Sequence, residues 1–566
     1  MNINNEIISL LKQAVDNAAK EFNFKEIPAA ELEIPQIAKF GDLSTNIAMQ
    51  LCKANRGAKP IAIASFIHED LNKRISKSPL SDYVKEISVE QPGFINFFLS
   101  DRAFYEILHR IDHEVKNFGR PLAPVNGKKA IIEFVSANPT GPLTVAHARQ
   151  AVVGNALSNI LEFFGWNVYK EYYLNDEGNQ INLLGASIYA RYAELAGPAC
   201  RQAGLHFEFP QDGYKGDYIK DIAKEIYDKH GDKFKAYNEK EKTFFSDYGI
   251  NCILATIKKD LSNIGVVFDN YASQAVLAKS GKIEKILSFL KENRLSYEKE
   301  GATWFKSTDF ADDKDRVLIK SDGSYTYITP DIAYHKDKYD RGFDWLIDIW
   351  GPDHHGYIPR MKAAQRALGK KDHTLSILIV QLATIYKAGK PLRMSTRAGE
   401  FITLREVIDE VGPDVAKVCF LMRKISSHLD FDLELAKSQS LENPVYYIQY
   451  AHARICGILE HSKKAVSGAA NKPDPKLLKE KEELDILKKL REYPDILYAA
   501  YNTLEPYRVL DYLLQLAALF HSFYSIHRVV TEDNELTQTR LFLVKCIKTT
   551  ISNALEVLGI SVPEKM

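Results

Sequence analysis

Three things are scarce in this chain of 566 residues: cysteine, long apolar runs, and any surplus of one charge sign. The six cysteines (Cys52, Cys200, Cys252, Cys419, Cys456, Cys546) are scattered, and no two stand at C-x-x-C spacing. A zinc site finds no support in them, and free thiols in a reducing compartment are the expectation. Lys plus Arg and Asp plus Glu each number 74, so the formal net charge is zero. That excludes a protein that holds nucleic acid by bulk charge, although a few well-placed Lys and Arg on a neutral chain still make phosphate contacts. No apolar run approaches the ~18 residues of a membrane span. The N-terminus, MNINNEIISLLKQAVDNAAKEF, mixes acidic and basic residues instead of running basic then apolar as a leader does. The expectation is a cytoplasmic protein that uses no membrane.

What is present suits a globular protein of several domains. Hydrophobic residues make up 45% and charged residues 26%, and single cores rarely grow past ~250–300 residues. Residues 1–120 read as an α+β unit. Ile7, Leu10, Leu11, Ala14 and Ala18 fall at helical spacing, and helices start near Thr45 and Ile61. Leu32–Ile37 reads as a short strand, and VKEISVEQPGFINFFLS as two strands joined at Pro92-Gly93. PLAPVNGK is a linker. KAIIEFV is an apolar run fit for a strand buried on both faces, followed by a loop, a helix ended by Gly165, and the strand NVYKEYYLND. This strand–loop–helix–strand unit opens a domain spanning 121–440, with a polar, helical insertion at about 195–290. Strand signals resume at RVLIK (316–320), WLIDIW (345–350) and LSILIVQL (375–382). Residues 441–566 read as a helical bundle.

Three loops carry the chemistry. SANPTGPLTVAH leaves the carboxyl end of a buried strand and enters a helix, where free N–H groups and the helix dipole favour phosphate. Gly141 lets backbone approach a ligand, and His147 at the helix start can donate to a phosphate or ribose oxygen. WGPDHHGY carries Asp353, His354 and His355, and neighbouring side chains on an extended segment diverge. Lining a nucleotide or substrate pocket is therefore a better reading than a metal site. KPLRMSTRAG is a basic loop of the kind that stabilises charge on phosphate, and Thr403 with Glu406 forms a capping box behind it.

Together these pieces resemble the class I aminoacyl-tRNA synthetases, and within them the bacterial-type arginyl-tRNA synthetases, over nearly the whole chain. The blocks that carry the likeness are KFGDLSTNIAM, EFVSANPTGPLTVAHARQAVVGN, EYYLNDEGNQI, DGSYTYITPDIAYHKDKYDRGFD, IWGPDHHGYIPRMKAA, RMSTRAGEFITLREVIDEVG and ALEVLGISVPEKM, all in order. The resemblance implies a multidomain α/β architecture. An N-terminal additional α+β domain (1–120) would contact tRNA, a Rossmann-like parallel-sheet catalytic domain with an insertion (121–440) would follow, and an all-α anticodon-binding bundle (441–566) would close the chain. It implies arginine activation by ATP and transfer to tRNA-Arg by a monomer, with Mg2+ entering with ATP and no tightly bound cofactor or protein-held metal.

By resemblance, Thr144, His147, Arg393, Ser395 and Lys129 are catalytic. Glu133, Asn138, Tyr327, Asp331 and His355 bind arginine, and Gly141, Ala146, His147, Asp353, His354 and Met394 bind ATP. Two departures stand out. The first signature, H-x-G-H, reads Thr144-Val145-Ala146-His147. The second, K-M-S-K-S, reads Arg393-Met394-Ser395-Thr396-Arg397. The resemblance offers Lys128 or Lys129 as a stand-in for the lysine lost at Thr396. Tyr446, Tyr447 and Tyr450 can stack on bases, but their helical spacing equally suits core packing. The competing readings are a silent relative that only binds tRNA, a small-molecule nucleotidyltransferase, and a synthetase for another amino acid.

Overall fold

A computed structural model describes residues 3–35, 37–55, 58–121, 123–196, 208–387, 390–391, 402–438, 440, 442–465 and 473–566. By internal contacts the chain forms two compact units. One comprises Met1–Phe118, Arg454–Tyr493 and Ala518–Thr550, and the other Gly119–Ala453, Pro494–Ala517 and Ile551–Met566.

In the first unit, the helix Ile3–Glu21 buries Ile7, Leu11, Ala14 and Ala18 at the expected spacing. The two expected strands are β2 (Val84–Glu90) and β3 (Phe94–Leu99), paired antiparallel, and β1 (Leu43–Thr45) lies on the other side of β3. The strand expected at Leu32–Ile37 is reduced to one bridge, Glu33 to Ser44. Helices follow at Ile47–Ala54 and Pro60–Ile75.

The second unit is built on a five-stranded parallel sheet. Its members are β4 (Lys129–Glu133), β5 (Asn167–Leu174), β6 (Asn270–Ser273), β10 (Trp345–Trp350) and β11 (Leu375–Ile379), in the order β11-β10-β4-β5-β6. Ala130, Ile131 and Ile132 of β4 are fully buried, as the continuous apolar run required. The helix Val145–Phe163 packs on β4 so closely that a Cβ at Gly154 would enter the ring of Phe134. Gly165, at φ +94°, ends that helix in the left-handed conformation.

Two expectations change here. The segment read as an insertion holds β6, whose sequence NYAS is too short and polar to announce a strand. RVLIK forms β9 (Arg316–Ile319), which belongs to a separate antiparallel sheet with β7 (Ser296–Lys299) and β8 (Ala302–Phe305). A four-residue strand carries no mark of which sheet it joins. A third small sheet joins β12 (Ala383–Lys387), β13 (Lys390–Pro391) and β14 (Leu429–Asp432).

The C-terminal region is helical as its pattern required: Pro444–Ala465, Lys481–Thr503, Tyr507–Ile526 and Asn534–Val557. The unit boundary crosses these helices, once at Pro494 inside Lys481–Thr503. A proline there lacks the N–H of the helical ladder and favours a bend. Tyr507–Ile526 has the length and hydropathy of a membrane span, yet Val509, Leu513, Leu516, Phe520 and Phe523 are fully buried within the fold. Tyr446 and Tyr450 stack on one another and, with Tyr447, are half-buried.

Replacing Gly154 by Ala should overpack the contact with Phe134 and cost about 1–3 kcal/mol. A thermal melt of G154A that matches the wild type would contradict this packing.

Candidate active site

The register of the parallel sheet brings like charges together. Asp348 on β10 pairs with Glu133 on β4, and Glu133 with Glu171 on β5. Adjacent strands lie only about 4.8 Å apart, so such a row repels itself unless cations answer it. The helix Ile328–Asp340 supplies them from one face, at the i, i+3, i+4 spacing of its residues. Lys338, wholly buried, places Nζ 2.5 Å from Glu133 Oε2 and 2.9 Å from Asp348 Oδ1. Tyr334 Oη donates to Glu171 Oε1 at 2.6 Å, and Arg341 grips both oxygens of Glu171 at 2.7 Å. Asn270 of β6 adds a fourth donor at 2.8 Å.

His335 sits between two groups that can only accept. Its Nδ1 is 2.8 Å from the carbonyl oxygen of Asp331, and its Nε2 is 2.7 Å from Asp348 Oδ2. Both nitrogens must therefore donate, which defines an imidazolium. Burial opposes that charge, but the Asp348 carboxylate outweighs it and holds the pKa above the ordinary value. Burial likewise opposes ionisation of Asp348, yet Lys338 and His335 keep its carboxyl well below the usual range. At Glu133 burial outweighs Lys338 and moves the carboxyl upward.

In front of this network lies a cavity of about 520 Å³. Glu133, Ser136, Asn138, Tyr173, Tyr327, Asp331, His354, Tyr357 and Arg360 are among its lining residues. Asp331 accepts from Tyr357 Oη at 2.5 Å. Its carboxylate meets no cation through a hydrogen bond or ion pair among the described residues, and burial raises its pKa. The loop after β4 is strained: Val135 and Ser136 both have positive φ, +69° and +40°. That turn sets Ser136 Oγ to donate to Glu133 Oε1 at 3.2 Å and to accept from the N–H of Tyr173 at 3.1 Å.

A second cavity of about 370 Å³ is lined by Asn138, Thr140, Gly141, Thr144, His147, Gln180, Tyr214 and Tyr218, among others. Asn138 lines both cavities and donates to Gln180 Oε1 at 2.7 Å. Tyr218 Oη donates to the carbonyl of Thr140 at 2.7 Å and stands 3.1 Å from where a Cβ on Gly141 would lie. Thr144 caps the helix Val145–Phe163 in a capping box with His147. The backbone N–H of Thr144 donates to His147 Nδ1 at 3.1 Å, so the neutral ring carries its proton on Nε2. Burial pushes the pKa of His147 down to about 4. Two residues on, the fully buried Arg149 donates to the carbonyls of Gln381 (2.7 Å), Ser427 (2.8 Å) and Lys424 (3.0 Å). Burial lowers its pKa to about 10.

The first cavity thus gathers Glu133, Asn138, Tyr327, Asp331 and His354 from the residues expected at the site, with Tyr327 84% exposed at its rim. The second gathers Gly141, Thr144 and His147 with Asn138. Ala146 is half-buried beside them without lining either cavity, and Asp353 and His355 are exposed outside both. The segment of His355 coils as the 3-10 helix Pro352–Tyr357, in which Tyr357 and the exposed His354 line the cavity and His355 does not. Lys129 corrects a further expectation. It opens β4 with its side chain exposed, about 13 Å along the strand from Glu133 at ~3.3 Å per residue. That is the end of the parallel sheet away from both cavities. Arg393, Met394 and Ser395, with Thr396 and Arg397, lie outside the described residues. Sequence reasoning missed Tyr173, Tyr334, His335, Lys338, Asp348, Tyr357 and Arg360. The spacing of Tyr334, His335, Lys338 and Arg341 in DIAYHKDKYDR was the available signal.

Three family models match the chain: the arginyl tRNA synthetase N-terminal domain at residues 5–99, the catalytic domain of class I (R) tRNA synthetases at 114–424, and the DALR anticodon binding domain at 448–566. An arginine–tRNA ligase of Geobacter sp. (strain M21) is 47% identical over 544 residues, covering 96% of each chain. That of Oceanobacillus iheyensis is 43% identical over 571 residues, covering all of both. The solved arginyl-tRNA synthetase of Thermus thermophilus shares the fold with a TM-score of 0.75, at 21% identity, over 99% of this chain and 100% of that one.

Lys338→Met should cost about 3–5 kcal/mol at pH 8, because it leaves buried carboxylates unpaired. In the variant, Glu133 and Asp348 take up protons more readily in the folded than in the unfolded state. The deficit then shrinks as pH falls from 8 toward 5. A melting-temperature difference that stays constant over that range would refute the network.

Proposed function

The chain belongs to the arginyl-tRNA synthetase family, and on that premise we propose that its two cavities divide one reaction between them. The enzyme is an arginine–tRNA ligase of class I. It activates L-arginine with ATP to arginyl-adenylate, releasing pyrophosphate, and transfers the arginine to the terminal adenosine of tRNA-Arg. In the first step a carboxylate oxygen of arginine attacks the α-phosphorus while the bond to pyrophosphate breaks. In the second a ribose hydroxyl of the tRNA attacks the acyl carbon and AMP leaves. Neither step asks for a covalent nucleophile of the protein; both ask for positioning and charge stabilisation.

The 520 Å³ cavity is assigned to arginine. The observation that carries this is Asp331, a recessed carboxylate oriented by the Tyr357 hydroxyl and without a cationic partner among the described residues. Asp331 pairs with the guanidinium, with Glu133 contributing charge from behind Lys338. Tyr327 closes the rim, and Asn138, shared by both cavities, reaches the reacting end of the amino acid. The 370 Å³ cavity is assigned to ATP. There the Nε2–H of His147 donates to a phosphate or ribose oxygen, Thr144 holds that ring, and Gly141 leaves room for the nucleotide. Arg393, Met394 and Ser395 are proposed to meet the phosphates from the second signature loop. Mg2+ enters with ATP: the donors around this cavity are amides, hydroxyls and a neutral imidazole, which suits a cation held by phosphate oxygens and water. Residues 441–566 are assigned to the anticodon and residues 1–120 to the outer corner of the tRNA. The enzyme is taken to work in the cytoplasm as a monomer.

With each labelled amino acid offered separately to the enzyme, ATP, magnesium and total tRNA, arginine alone should be charged. Asp331→Asn should raise the KM for arginine by about 100-fold, since a guanidinium loses a desolvated charge partner. Unchanged arginine use by D331N would overturn the assignment of this cavity. His147→Ala should lower kcat for adenylate formation by about 100-fold, the worth of one preorganised donor. The wild-type rate should carry no His147 titration between pH 6 and 9, because its pKa lies near 4.

A further inference from the structure

One residue of the arginine cavity has a charge of the wrong sign for a guanidinium. Arg360 lines the same 520 Å³ space as Asp331. It is the third residue of the helix Ile358–Ala367, directly after Tyr357 caps it. Its guanidinium lies over the face of Tyr357, 5.2 Å from the ring centroid. Its buried Nε meets no hydrogen-bond partner, and it enters no ion pair among the described residues. Among the described residues the cations of the network behind the cavity are spoken for: Lys338 by Glu133 and Asp348, His335 by Asp348, and the half-buried Arg341 by Glu171.

Tyr357 therefore separates two opposite charges within one cavity, its hydroxyl donating to Asp331 and its ring carrying Arg360. Such a cavity matches a ligand that is itself charged at both ends. A guanidinium placed against Asp331 is repelled by Arg360, so Arg360 is left for the anionic end. We propose that Arg360 binds the α-carboxylate of arginine. This rests on the assignment of the cavity to arginine. The contact belongs to the ground state. Once the carboxylate becomes the mixed anhydride of the adenylate it loses its charge, so Arg360 governs arginine binding more than the turnover that follows.

The test compares arginine with agmatine, which keeps the guanidinium and an amine and has no carboxylate. Binding of each is measured calorimetrically to the full chain, without ATP, for the wild type, Arg360→Gln and Arg360→Lys. The wild type should bind arginine more tightly than agmatine. Arg360→Gln should weaken arginine by about 10- to 100-fold, the worth of a charge-assisted hydrogen bond, while leaving agmatine unchanged. Arg360→Lys should recover part of the loss, and a KM increase for arginine without a matching fall in kcat should accompany it. Equal weakening of both ligands would show that Arg360 only shapes the cavity, and would overturn the proposal. Unchanged arginine binding in Arg360→Gln would overturn it as well and leave the phosphate of the adenylate as the partner of this cation. A wild type that binds neither ligand would overturn the arginine assignment itself, and this inference with it.

Discussion

The row of carboxylates across three neighbouring strands is the constraint on which this active site depends. Parallel register places Asp348, Glu133 and Glu171 side by side, an arrangement that would drive strands apart on its own. One helix, Ile328–Asp340, relieves it with Tyr334, His335 and Lys338, and Arg341 follows directly after its end. The same helix presents Asp331 to the cavity. The element that neutralises the sheet is thus also the one that places a carboxylate in the cavity. The carbonyl of Asp331 meets His335 of that network, so the proposed guanidinium site and the ion network share one helical turn.

Next to it, the first signature carries altered residues. Thr144 in place of the usual first histidine does not simply lose a donor. Its backbone N–H settles the tautomer of His147, and its position caps the helix that carries the signature. His147 stays neutral and keeps Nε2–H as a donor toward the second cavity. Arg149, on the same helix, ties down the carbonyls of Gln381, Lys424 and Ser427. These carbonyls precede β12 and β14, so the helix behind the first signature also ties down the approaches to the third small sheet.

Much of this was legible in the chain itself. The apolar run KAIIEFV could only be a strand buried on both faces, and Gly165 and the Thr403–Glu406 box marked helix ends by local chemistry that needs no tertiary context. Glu133, Asn138, Asp331 and His147 followed from their places in recognisable blocks, and the cavities contain them. Other features were not readable. NYAS joins the main sheet and RVLIK does not, because strand partnership is a matter of non-local hydrogen bonds. His355 stays outside the cavity that Tyr357 and the exposed His354 line, because a 3-10 turn differs from an extended segment in where it sends its side chains. Lys129 was close to the site in sequence but lies at the far end of the strand that runs toward it.

The amino-acid sequence by itself determined the family, the buried strands and several helix ends, since these rest on periodicity, caps and contiguous blocks. Only the tertiary structure decided the charge state of the site. Lys338, His335 and Asp348 look like ordinary surface charges in a linear reading. They become a buried network because sheet register and one helical face bring them within hydrogen-bond reach across more than 200 residues of chain, from Glu133 to Lys338. Electrostatic energy depends on distance and on the exclusion of water, and neither exists until the chain has folded.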